Sequence, residues 1–224
     1  KVRRNKKIVK ISKIIIICSF LILLAAFLLV SLIYNGGTFS ITLDRDLYKK
    51  NRIIIYDDPD YKVFRSELIA PITGSFSNTS YKWFPNDLDN YNGSHNGRNY
   101  LAYSFYIENM GEDIADYWAE IVIDNVSRHL DEAIRVRVYR NGVPTTYAAL
   151  AMNGKPEPMT VAFMSDELVM RENIKSIKPG DVNKYTIVIW LEGTDPECTD
   201  NLIGGEIKMH MAFNSENIKP YKNQ

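Results

Sequence analysis

The chain has 224 residues, 46% hydrophobic and 12% aromatic, and its 27 Lys and Arg balance 27 Asp and Glu. That apolar content sets aside a disordered stalk. Seven of the bases lie between Lys1 and Lys13, so the rest carries 20 bases against 27 acids, a net charge of about −7 that argues against nucleic acid and against flat binding to anionic lipid.

Residues 1–13 form a basic tail, and the 21 residues from Ile14 to Tyr34 contain no charge. A helix of that length rises roughly 31 Å, against about 30 Å of bilayer hydrocarbon. The excess of bases on its N-terminal side orients the tail toward the cytoplasm. The sequence therefore predicts a single-pass signal-anchor helix over residues 14–34 in the cell membrane, with the remainder extracellular. The run exceeds the about 7–15 apolar residues of a signal-peptide core, and Ala25-Ala26 lies mid-span, which favours a retained anchor over a cleaved leader. Cys18 lies inside the apolar run and Cys198 beyond it, so the two cannot pair. An exported domain without bridges points to a bacterial surface.

Residues 35–37 (Asn-Gly-Gly) read as a flexible joint, and residues 38–224 as one extracellular domain. From Thr38 to Asp44 the chain alternates, with Phe39, Ile41 and Leu43 on one side and Ser40 and Thr42 on the other, the period of a half-buried strand. Because it follows a joint, this strand is the candidate interaction element: Phe39, Ile41 and Leu43 would complete a neighbour's sheet. A second strand is expected over Arg52 to Tyr56, and residues 73–99, rich in Ser, Asn, Asp and Gly, read as a long surface excursion. Tyr100 to Glu108 and Asp116 to Asp124 read as paired strands, with hairpin turn residues from Asn109 to Asp113. A further hairpin is expected at Ala133–Tyr139 and Thr145–Leu150 around Asn141-Gly142, then strands at Val182–Leu191 and Glu206–Phe213. Helical signals are confined to a turn at Ser127–Asp131 and a short helix near Asp166–Lys175. Strands in this number without βαβ alternation predict a mainly β chain, an immunoglobulin-like or jelly-roll β-sandwich after the transmembrane helix. Trp118 and Trp190 fall inside strands and are core candidates.

No catalytic residue is nominated. His95, His129 and His210 lack metal-ligand spacing, and H-E-x-x-H, G-x-S-x-G and a phosphate-binding glycine loop do not occur. Calcium is the one cofactor with candidate ligands, in three acidic clusters: Asp57, Asp58 and Asp60; Asp87 and Asp89; Asp195, Glu197 and Asp200. Hard cations take such oxygens on turns, although Asp is also an ordinary turn former. The sequence on balance names no bound cofactor.

Ile177-Lys178-Pro179-Gly180-Asp181, followed by the strand Tyr185–Leu191, resembles an element of the TasA/camelysin-type secreted proteins of Gram-positive bacteria, as does the turn at Glu108-Asn109-Met110-Gly111. Ile189–Gly193, Asp195–Asp200, Gly204–Met209 and Gly93–Gly97 resemble signatures of a membrane-anchored surface family of Firmicutes. The broader resemblance spans about residues 36–213. It implies a β-sandwich and, for TasA-like relatives, a released subunit that builds biofilm matrix fibres. The chain departs from those relatives in its long apolar segment, and no metal motif accompanies the protease activity ascribed to camelysins.

The function expected is thus a non-enzymatic cell-surface or extracellular-matrix protein: a membrane-tethered β-sandwich that associates with itself or with other envelope proteins. An extracytoplasmic ligand-binding or sensor module working with a membrane partner is the alternative. A hydrolase ranks third; a pocket with a perturbed His95 or an acid pair about 5–9 Å apart would be its mark.

Overall fold

The computed structural model describes residues 2–34, 38–72 and 76–215, and the chain divides into two compact units, Lys1–Gly36 and Gly37–Gln224. The joint expected at residues 35–37 lies outside the described residues.

The first unit is one α-helix, α1 (Val2–Tyr34), of 33 residues. Nothing in its sequence breaks it, and the Ser19 hydroxyl donates to the Ile16 carbonyl 2.9 Å away. Its side chains are described from residue 13 to residue 29, and all of these are exposed, Phe20 and Phe27 by 65% and 69%. Among the described residues no helix is long and apolar enough to cross a membrane.

The second unit is mainly β. It begins with β1 (Thr38–Leu43), a short helix α2 (Arg45–Asn51), β2 (Ile53–Tyr56) and β3 (Glu67–Pro71). Asp44 caps α2 by accepting the Asp46 N–H, and the helix closes on Arg52 in the left-handed region, φ 54°. There follow β4 (Gly93–Ser94), β5 (Tyr100–Asn109), β6 (Ala115–Val126), β7 (Ile134–Arg140), β8 (Val143–Ala148), β9 (Val161–Ala162), β10 (Leu168–Ile177), β11 (Val182–Leu191) and β12 (Ile207–Asn214).

Two sheets result. One has the order β10-β6-β12-β1-β3; the other runs β2-β5-β11-β7-β8-β9, with β4 on β5. A single apolar core draws on both, with Phe39, Ile41 and Phe213 from the first and Phe105, Tyr185 and Ile187 from the second. The rings of Phe105, Tyr117 and Tyr185 surround Phe213 edge-on at 5.4–5.8 Å. The mainly β expectation with two sheets is met.

Several local expectations hold. The 134–148 segment is a two-residue hairpin, its turn made by Asn141 and Gly142 at φ 52° and 81°, the positive values that a type I′ turn requires. In β12, Met209, Met211 and Phe213 are buried, while His210 points outward and pairs with Asp124. The turn near Ser127–Asp131 carries one 3₁₀ turn at Leu130–Glu132.

Other expectations are overturned. β5 and β6 do not pair: β5 joins β11 and β2, whereas β6 joins β10 and β12. Residues 109–113 therefore carry the chain from one sheet to the other. The buried Asn109 holds this crossing. Its Nδ2 donates to the carbonyls of Asp113 (2.9 Å) and Ile177 (2.8 Å), its Oδ1 accepts the Gly111 N–H, and its own carbonyl accepts the Gly180 N–H. Segments 108–111 and 177–181 thus dock on each other.

The helix expected near Asp166–Lys175 is the strand β10. Two register shifts place Met170, Ile174 and Ile177 in the core, a helix-like i, i+4, i+7 spacing inside a bulged strand.

The described part of the 73–99 excursion lies over the outer face of the larger sheet. Phe84 and Leu88 pack with Ala102, Tyr139, Val188 and Trp190 in a second apolar cluster. Trp190 belongs to this cover and not to the central core. Trp118 is half-buried on the outer face of the smaller sheet.

Most consequential is β1. It is hydrogen-bonded on both sides, parallel to β12 and antiparallel to β3. Phe39, Ile41 and Leu43 are 1%, 0% and 7% exposed. The residues expected to enter a neighbour's sheet fill this domain's own core, because both edges of the strand already have partners.

Candidate metal centre

Arg135 stands on β7, across the ladder from Trp190 on β11 and Ala148 on β8. Alternation with Ile134 and Val136 puts it on the outer face, yet only 4% of it is exposed. Two loops close over it. One leaves β8 and runs through Glu157 before β9; the other leaves β11 at Glu192 and runs through Asp195 and Glu197. The Met152 N–H donates to Glu197 Oε1 at 2.9 Å and ties the loops together.

Glu157, Asp195 and Glu197 each bring one carboxylate oxygen within 4.8 Å of the others. The Arg135 guanidinium pairs with Asp195 and lies 3.4 Å from Glu157, with side-chain exposures of 5%, 0% and 9% for Arg135, Asp195 and Glu157. Burial, and then the hydrogen bond with Glu197, push the Asp195 carboxyl up to about 6 against the pull of Arg135. The same hydrogen bond, with that from the Met152 N–H, holds Glu197 below the usual carboxylate range. The pair thus retains a proton more readily than two free carboxylates.

Glu192 anchors the second loop differently. Burial alone would raise its pKa, but hydrogen bonds from Trp190 Nε1 (2.9 Å), Thr194 and the Tyr81 N–H outweigh burial and hold it low. It links the end of β11 to the segment covering that sheet. Its oxygens are satisfied, whereas Glu197 Oε2 in the neighbouring trio is buried without a partner.

Of the calcium candidates, Asp195 and Glu197 come together, and Glu157 joins them. Asp200 instead opens a 3₁₀ turn. Asp57 accepts the Tyr103 hydroxyl at 2.6 Å, Asp58 accepts the Asp60 N–H, and Asp87 accepts the Tyr91 hydroxyl. Among the described residues these sets gather no third ligand-bearing side chain. The sequence does not mark Glu157 as a partner of these acids, because it lies 38 residues before Asp195, between Pro156 and Pro158, with no ligand spacing. Arg135 was hidden by its phase in the strand, which reads as solvent-facing.

His95 sits in a different loop. Its Nδ1 donates to the Gly93 carbonyl at 2.9 Å, and burial holds its pKa below the usual histidine value. Its ring neighbour is Tyr91.

A pH effect follows. Asp195 is raised in the folded chain, so its contribution to stability is present below its unfolded value near 3.8 and is lost as the pH rises through about 6. Thermal unfolding should therefore come about 2–4 °C higher at pH 5 than at pH 7.5, the equivalent of roughly 1 kcal/mol in a domain of this size. Asp195→Asn should flatten that difference; an unchanged slope in the variant would assign it elsewhere.

No model of a known protein family matches this chain, and no curated protein matches it.

Proposed function

We propose that this chain is a non-enzymatic cell-surface or extracellular-matrix protein, an immunoglobulin-like or jelly-roll β-sandwich tethered by its N-terminal segment and working through protein–protein contact. The observation that carries the reading is the stretch between β8 and β10. Leu150, Met152, Met159, Val161 and Met164 are 51%, 90%, 96%, 51% and 60% exposed, in a segment at the edge of the larger sheet. Exposed apolar side chains gathered on one segment are a mark of partner binding, and methionine adapts to varied apolar partners. This replaces β1 as the surface offered to a second copy or to another envelope protein.

The tether rests on the uncharged run from Ile14 to Tyr34, on the bases before it, and on the exposed apolar side chains of α1. The kinship with TasA/camelysin-type surface proteins of Gram-positive bacteria belongs to the same proposal, supported by the motifs at 108–111 and 177–181.

Sedimentation of the full chain in mild detergent tests it. Concentration-dependent association is expected, and Met152→Glu with Met159→Glu should abolish it while far-UV circular dichroism stays the same. A chain that stays monomeric at every concentration overturns self-association, and capture of a different membrane protein moves the assignment to the sensor reading. Recovery from cells without detergent overturns the tether.

A further inference from the structure

We propose that Glu157, Asp195 and Glu197 form a binding site for one divalent cation of the calcium type, which clasps the 149–160 loop to the 192–200 loop.

The first support is charge. Two buried carboxylates and one half-buried carboxylate gather beside one guanidinium, leaving two negative charges, the number that one divalent ion neutralises. Uncompensated buried carboxylates are strongly unfavourable.

The second support is independent of the clustering: one carboxylate oxygen of the trio holds acceptor capacity that no protein group among the described residues uses. Glu197 Oε2 is sealed from solvent and has no hydrogen-bond partner. The Glu157 side chain is nine-tenths buried, and its one polar contact among the described residues is the 3.4 Å approach of Arg135. The Asp195 carboxylate differs, since Oδ1 accepts the Glu197 N–H and Oδ2 faces Arg135. It would complete the ligand set through a remaining lone pair.

Geometry allows a single ion. The three oxygens lie within 4.8 Å of one another. Calcium bonds oxygen at about 2.3–2.6 Å, so one ion reaches oxygens so gathered with small side-chain adjustments, and loop carbonyls or water complete its six to eight ligands. Zinc is less suited, since histidine and thiolate are absent from the trio.

The test begins with full chain stripped by a chelator and titrated with calcium chloride at pH 7.5, read by calorimetry and by terbium luminescence. Trp190, directly across the ladder from Arg135, sensitises terbium in the site. One saturable site with a dissociation constant of about 10⁻⁴–10⁻³ M is expected, as in extracellular calcium modules. Glu157→Gln and Glu197→Gln, which keep shape and hydrogen bonding, should each weaken binding about tenfold or more, as loss of one charged ligand does. Asp58→Asn, in another acidic cluster, should leave it unchanged. Absence of heat and terbium emission up to about 10 mM, far above the expected range, overturns the site. So does binding that survives both glutamine variants or is lost in Asp58→Asn. The wild-type titration decides the matter even where a variant fails to fold.

Discussion

Replacing Asn109 with alanine should lower stability by about 2–4 kcal/mol, a drop of roughly 5–15 °C in melting temperature. The side chain is fully buried. Its loss strips the donor from the carbonyls of Asp113 and Ile177 and the acceptor from the Gly111 N–H. Water cannot readily replace these partners, so most of the desolvation penalty of the stranded groups persists. The damage falls on the crossing between the sheets and on the end of β10 together, because the side chain bonds the carbonyls of both Asp113 and Ile177. Thermal and urea unfolding of the full chain would measure it. A shift of under about 2 °C would mean that the crossing is held by the main chain alone.

Arg135→Met should be of similar or larger size, about 3–5 kcal/mol at pH 7.5. Methionine fills much of the volume, so the loss is electrostatic: Asp195 and Glu157 remain buried without their cation. The effect should depend on pH in a definite direction. Arg135 pulls the Asp195 pKa down, so its removal raises that pKa further, and protonation at lower pH relieves the repulsion. The gap in melting temperature between variant and parent should therefore narrow from pH 7.5 to pH 5. A gap independent of pH would show that Arg135 acts through packing. Calcium should act on the other side of the same imbalance, stabilising the parent more at pH 7.5 than at pH 5, where protons compete for the oxygens.

The two predictions concern residues of unequal legibility. Asn109 was visible as a turn residue, since Asn ends strands and folds onto its own main chain. Its bonds to Ile177 and Gly180, on a segment about 70 residues away, were not. Arg135 carried no signal. Alternation sets it on the face opposite Ile134 and Val136, and only the loops from β8 and β11 make that face an interior. Asp195 and Glu197 were picked out as an acidic turn, whereas Glu157 joins them through a contact no spacing encodes. Likewise β10 was masked by its bulges, which set Met170, Ile174 and Ile177 at helical intervals.

What the sequence determined by itself is what depends on neighbours along the chain. The period of two marked β1 and β12, apolar runs bounded by turn residues marked β7, β8 and β11, the Asn141-Gly142 pair determined a turn, and the uncharged run from Ile14 to Tyr34 stood out from the acidic remainder. Tertiary structure alone decided which strands share a sheet, that β1 is an interior strand of its own domain, that Phe84 and Leu88 cover Trp190, and that three acids gather beside Arg135. The reason is physical. Side-chain alternation is set by the local geometry of an extended backbone. Partner choice depends on the burial that distant segments achieve together, and that quantity belongs to no single segment.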